Sequence, residues 1–196
     1  MSDKIFEEPD ILNRFVKLKQ DYSALCKTEG RVMVAQTFEN FFKIFPNIAS
    51  AQWHQYTPGF NDGEPCVFGV GSVTVSFDNI ESMIEACGLE ELKSEWKDEE
   101  AYNKGHRDEG RSYRNGREGM DPVDFDTWLQ VHRNRAADEG FSAYSFQEGS
   151  DVQEGLRQLE SFLAKVEDVL EIAFGNDKTV KVTQKTIEVE DYDCGY

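Results

Sequence analysis

Apolar residues first recur along this chain at helical spacing. Pro9 suits a first helical turn, and Ile11, Leu12, Phe15, Leu18, Tyr22 and Leu25 follow on one helical face. Gly30 is expected to stop that helix. A second is predicted from Val32 to Phe45, where Val34, Phe38, Phe41, Phe42 and Phe45 make a heavy aromatic face and Pro46 ends the run. The two read as an αα-hairpin whose aromatic side needs a sheet or another helix to cover it.

Ile48 to Phe77 reads as strand, turn, strand. Asp62-Gly63, between Asn61 and Glu64, is a favoured two-residue hairpin turn because both central residues take positive φ. That register sets Thr57 opposite Phe68 and Gln55 opposite Val70. Phe68 and Val70 share one parity, whereas Val73, Val75 and Phe77 share the other. A clean strand cannot bury both sets on one face, so a bulge or sharp twist is expected near Gly69 and Gly71.

Helical spacing returns with Ile80, Met83, Ile84, Leu89, Leu92 and Trp96, split at Gly88. Residues 98–122 lack a core-forming period and carry Gly105, Gly110, Gly116 and Gly119, which predicts a loop. Phe125, Trp128, Leu129 and Val131 predict a short helix before Gly140. The stretch at about 98–140 is therefore expected to be an irregular, mobile insertion. Val152, Leu156, Leu159, Leu163, Val166, Leu170 and Ala173 step alternately by four and three, a heptad pattern. Phe162 and Val169 widen that stripe, which favours packing within the domain over packing on a partner helix. Val180 and Val182, then Ile187 and Val189, predict closing strands with a bulge or turn near Gln184-Lys185. The expectation for residues 1–196 is a single α+β domain: a small antiparallel sheet packed with helices, one of them long and near the C-terminus.

Composition narrows the function. The 196 residues suit one domain, and 39% are hydrophobic. No apolar run approaches the ~20 residues of a membrane helix, and Met1 to Pro9 has no apolar secretory core, so a cytoplasmic location is expected. Cys26, Cys66, Cys87 and Cys194 lie far apart and read as free thiols. His54, His106 and His132 are equally scattered, so neither a metal nor a cofactor is expected.

The net charge is −17, and it is unevenly spread. Residues 78–100 carry nine acids against two bases, and residues 148–196 carry twelve against five. Such a field disfavours direct binding to nucleic acid or an anionic membrane. It favours a protein partner, one that is basic or that itself handles a polyanion.

Special residues are densest in Trp53-His54-Gln55-Tyr56-Thr57-Pro58-Gly59-Phe60-Asn61-Asp62-Gly63-Glu64-Pro65-Cys66-Val67-Phe68. With Phe41-Phe42 and Pro46 before it, this stretch resembles a motif of uncharacterised small proteins, many of them phage-encoded, of the form W-x-Q-Y-T-P-x-F-N-D-G-E-P-C-x-F. The resemblance covers residues 38–77 and brings no activity with it. It implies a phage origin and a bacterial cytoplasm.

No catalytic set is evident. Arg107, Arg111, Arg114 and Arg117 are interleaved with acids and glycines, which reads as a self-neutralising loop rather than a phosphate site. The leading expectation is a non-enzymatic, acidic accessory protein that acts by protein–protein binding. In its sharper form the protein inhibits a nucleic-acid-handling enzyme through a DNA-like row of acids, with Glu91, Glu95 and Glu99 at i, i+4 spacing and Glu81 and Glu85 before them. One alternative is a small enzyme or ligand-binding protein using the hairpin tip, where His54, Tyr56, Asn61, Asp62, Glu64 and Cys66 could meet a ligand. Another is an assembly component dimerising through the 152–174 helix.

Overall fold

The computed structural model describes residues 9–59, 65–108 and 124–193. An antiparallel sheet is built around the segment that carries the dense motif. β1 (Ser50–Tyr56) pairs with β5 (Lys178–Thr183) on one side, and with β2 (Gly69–Val70) and β3 (Thr74–Ser76) on the other. β4 (Phe141–Ser142) lies beyond β3 and β6 (Ile187–Asp191) beyond β5, in the order β4-β3-β1-β5-β6 with β2 beside β1. The chain reverses between β5 and β6 at residues 184–186, where Thr183 N–H donates to the Thr186 carbonyl.

The hairpin register is the expected one, with Gln55 opposite Val70. Further along, Ala51 sits opposite Val75, so the 70–75 side has gained one residue. That is the predicted bulge, and it puts Val70, Val73 and Val75 on one face despite their mixed parity. Gly71 donates its N–H to the His54 carbonyl at 2.8 Å, and a Cβ there would stand 3.3 Å from the same oxygen. Two carboxylates reach in from the helices to satisfy other amides of the irregular segment. Glu160 accepts from Val73 N–H at 3.0 Å and Glu167 from Val70 N–H at 3.3 Å. The Asp62-Gly63 turn itself lies outside the described residues.

Helices cover one face of the sheet. The predicted αα-hairpin is not formed. α1 (Pro9–Leu25) passes through a π-helical turn (Cys26–Gly30) directly into α2 (Arg31–Ile44). Gly30 keeps right-handed helical angles, φ −57° and ψ −46°. Its missing side chain serves packing instead. α6 (Asp151–Lys165) is followed by α7 (Glu167–Phe174), and a Cβ on Gly30 would stand 2.8 Å from Val169 Cγ1 of α7. The α2 aromatic face does find the sheet: Phe38 stacks on Trp53 with ring centres 5.4 Å apart.

The heptad segment is helical on both sides of Val166, where the backbone departs to φ −123° and ψ 23°. Leu156, Leu163 and Leu170 are fully buried in the chain's own core, so this stripe is covered from within.

α3 (Ile80–Cys87) and α4 (Leu89–Asp108) are separated at Gly88, whose φ of 86° ends the first of them. Helix α4 continues through residues 98–108, where a loop was expected. The helix is led by residues 89–101, rich in Glu, Leu and Lys, whose intrinsic propensity carries it on without an apolar period. α5 (Phe125–Glu139) buries Trp128 and Leu129, and Phe125 meets Trp96 edge-on at 5.7 Å. Helix thus enters the 98–140 stretch from both ends among the described residues, and α5 helps to build the core. Arg111, Arg114 and Arg117 lie outside the described residues.

Candidate functional site

The pleat of β1 divides the dense motif in two. Trp53 and Gln55 point into the core, each fully buried, while His54 and Tyr56 lie on the opposite face. Trp53 donates its indole N–H to Gln55 Oε1 at 3.1 Å, and the Gln55 amide donates to the carbonyls of Leu170 and Gly175. The Gly175 carbonyl stands at the C-cap of α7, where a helix leaves its own acceptors unpaired, and Leu170 lies one turn before it. Arg31 joins the cap, donating from Nε to the Ala173 carbonyl at 2.8 Å and sitting over the Phe174 ring. Half of the motif is therefore a joint between sheet and helix.

The outer half makes a small aromatic shelf. His54 stacks on Tyr192 with ring centres 4.2 Å apart, and Tyr56 approaches the same ring at 5.6 Å. His54 Nδ1 lies 2.8 Å from Thr179 Oγ1. Burial lowers the histidine pKa, which favours the neutral ring. Cys66 is exposed, but Asn61, Asp62 and Glu64 fall outside the described residues. Among the described residues no group of three or more His, Cys, Asp and Glu could hold a metal ion. Nor is any helix long and apolar enough to cross a membrane.

The five acids of the proposed row are divided between two helices. Glu81 and Glu85 are exposed on α3, and the Gly88 corner separates them from α4. On α4, Glu91 folds back over that corner, its Oε2 2.6 Å from where a Gly88 Cβ would be. Glu99 turns inward and accepts the indole N–H of Trp128 at 2.9 Å. Burial, then the Glu99 charge, raises the pKa of Glu95. Burial, with Glu95 behind it, pushes the Cys87 thiol up to about 12. Glu99 thus belongs in part to the packing of α4 and α5, whereas Glu95 is only partly shielded and remains exposed.

A different surface emerges from the first helix. Every α1 residue from Ile11 to Asp21 is exposed, including Leu12 and Phe15 at 66% and Leu18 at 65%. Leu25, Val32 and Met33 continue the exposed apolar surface past the π turn. α1 therefore leaves the domain with the stripe that should have been covered. From Ile11 to Gln20 it carries Arg14, Lys17 and Lys19 and no acid. The stripe was visible in the sequence, but its fate was not. The local run of bases in so acidic a chain was the available signal.

At the other end of α2 lies a groove of about 840 Å³, between α2, α3 and α6. Phe41, Ile44, Phe45 and Phe162 contribute apolar surface, and Glu85, Asp151 and Glu154 are the charged residues that line it. Gly155 lets Phe45 lie against α6, because a Cβ would stand 2.5 Å from its ring. No family model, curated protein or solved structure matches the chain.

Proposed function

We propose that this chain acts by binding protein rather than by catalysis, and that α1 is the element that binds. The observation that carries the reading is the uncovered apolar stripe of α1. A helix of 17 residues is marginal in water unless an apolar face is packed. A contiguous exposed patch of this kind marks an interaction surface in a soluble protein. The high acidity is compatible with an accessory, inhibitory role, in which the partner is basic or handles nucleic acid. The geometry gives less support to a DNA-like row, because Glu99 is turned onto Trp128 and Glu81 and Glu85 stand on a different helix. The hairpin-tip reading keeps only the His54–Tyr56–Tyr192 shelf as described geometry.

The test is the double change Leu12→Glu, Phe15→Glu in the full chain. Both side chains are exposed, so folding stability should move by no more than about 0.5 kcal/mol each. A protein bound by the wild type, once purified, should lose at least tenfold in affinity for this variant while the melting curve stays unchanged. Undiminished binding would remove α1 as the binding element.

A further inference from the structure

We infer that the occupant of the α1 stripe is a second copy of this chain, each copy placing its α1 in the α2–α6 groove of the other. The inference rests on the reading of α1 as the binding element and adds who is bound and where. Three observations carry it.

The first is charge. Between Ile11 and Gln20 the helix carries three bases and no acid, and the groove is lined by three acids with no lysine or arginine. Elsewhere the chain is strongly acidic, so this is the segment best suited to approach that rim. Two α1 helices packed on each other would instead bring like charges together.

The second is size. A helix ~10 Å across that rises ~5.4 Å per turn fills roughly 420 Å³ per turn. The groove, at about 840 Å³, has room for two turns. Two turns of α1 hold Ile11, Leu12, Phe15 and Leu18, the densest part of the stripe.

The third is reach. Because α1, the π turn and α2 form one uninterrupted helical rod, α1 cannot fold back onto its own groove. Phe15 is held about 39 Å along the rod from Phe41, at ~1.5 Å per residue. Two rods laid antiparallel resolve this. When Phe15 of each copy lies beside Phe41 of the other, the rods cross at residue 28, inside the π turn. The exposed Leu25, Val32 and Met33 flank that crossing. The arrangement is two-fold symmetric and closes on itself, so it ends at a dimer rather than a fibre.

The experiment uses light scattering on the full-length chain across a concentration series, together with two charge-reversed variants. The wild type should show twice the monomer mass of 22.4 kDa. Arg14→Glu, Lys17→Glu alters only the helix, and Glu85→Lys, Glu154→Lys alters only the groove. Each variant alone should shift to monomer, with dimer affinity reduced at least tenfold and an unchanged melting curve. Mixed in equal amounts, they should form a one-to-one heterodimer, since each reversed helix then meets a reversed groove. A wild type that stays monomeric to high concentration overturns the inference. A groove variant that remains as dimeric as the wild type also overturns it and points to pairing of α1 with α1. If the wild type is monomeric yet Leu12→Glu, Phe15→Glu abolishes binding of another protein, the binding role of α1 stands and only the second copy is lost. If that variant also binds normally, the reading of α1 fails with it.

Discussion

The Tyr22 hydroxyl donates to Asp168 Oδ2 at 2.6 Å, tying the projecting helix α1 to α7 across 146 residues of sequence. The Asp168 bond, then the neighbouring Cys26, raises the tyrosine pKa above its ordinary value. Beyond this point α1 has little to hold it. Tyr22→Phe should therefore leave the core intact and loosen the helix. Amide exchange measured by mass spectrometry should accelerate over residues 9–25 and stay unchanged in β1 and β5. Equal exchange in α1 would show that the tie contributes nothing.

Gly30 tests whether the glycine ends a helix or admits a neighbour. Alanine there gains about 1 kcal/mol of helix propensity. Its Cβ would stand 2.8 Å from Val169 Cγ1, and overpacking of that kind costs about 1–3 kcal/mol. Gly30→Ala should be net destabilising in urea unfolding, and adding Val169→Ala should recover part of the loss. A stabilised single variant would show that α7 gives way freely.

Gln55 is the polar centre of the core, fully buried and bonded to Trp53, Leu170 and Gly175. Gln55→Leu keeps the volume but orphans the indole N–H and the Gly175 carbonyl, each worth about 1–3 kcal/mol when buried unpaired. The expected loss is about 3 kcal/mol. In a chain of this length that lowers the melting temperature by about 6–12 °C. A shift under about 2 °C would mean that water replaces the amide.

How much of this was legible in the sequence depends on what each signal constrains. Parity along a strand is a hard constraint, so the Gln55–Val70 register and the bulge before Val73 could both be read. Glycine is ambiguous: Gly88 ends a helix at positive φ, whereas Gly30 stays helical and permits a close contact, and composition does not separate the two uses. The absence of an apolar period at 98–108 does not say that no helix forms. For the site, the α1 stripe announced a face in need of cover. A stripe does not say whether the cover is its own domain or another molecule, and only the continuous rod decides that. The row from Glu91 to Glu99 had the right spacing, but spacing alone did not show that Glu99 turns to Trp128.

The cysteines should separate by reactivity. Cys66 is exposed, Cys26 and Cys87 are buried, and burial holds the Cys87 thiol up at about 12. A thiol attacks as its thiolate. Brief iodoacetamide treatment at pH 8 followed by peptide mapping should label Cys66 and leave Cys87 unlabelled until denaturant is added. Early labelling of Cys87 would mean that α3 opens from α4 and α5 in the native state.

His54 gives the fold a dependence on acid. Burial lowers its pKa in the folded state, whereas the unfolded chain returns it to about 6.5. The unfolded state therefore binds the extra proton first as pH falls. The stabilising contribution is fully present above about pH 6.5 and is lost as pH drops through the lowered folded value. Protonation also places a charge against the Tyr192 ring, 4.2 Å away between centres, and the two nitrogens must then both donate. Only one of them has Thr179 beside it, at 2.8 Å. His54→Gln removes the titration while retaining a polar side chain on the outer face. Urea unfolding of wild type and variant should give a difference that is constant from pH 8 to about 7 and changes in the variant's favour as pH falls further. A difference that stays flat down to pH 5 would show that His54 is solvated well enough to protonate without cost, and the shelf it forms with Tyr56 and Tyr192 would then be open to water.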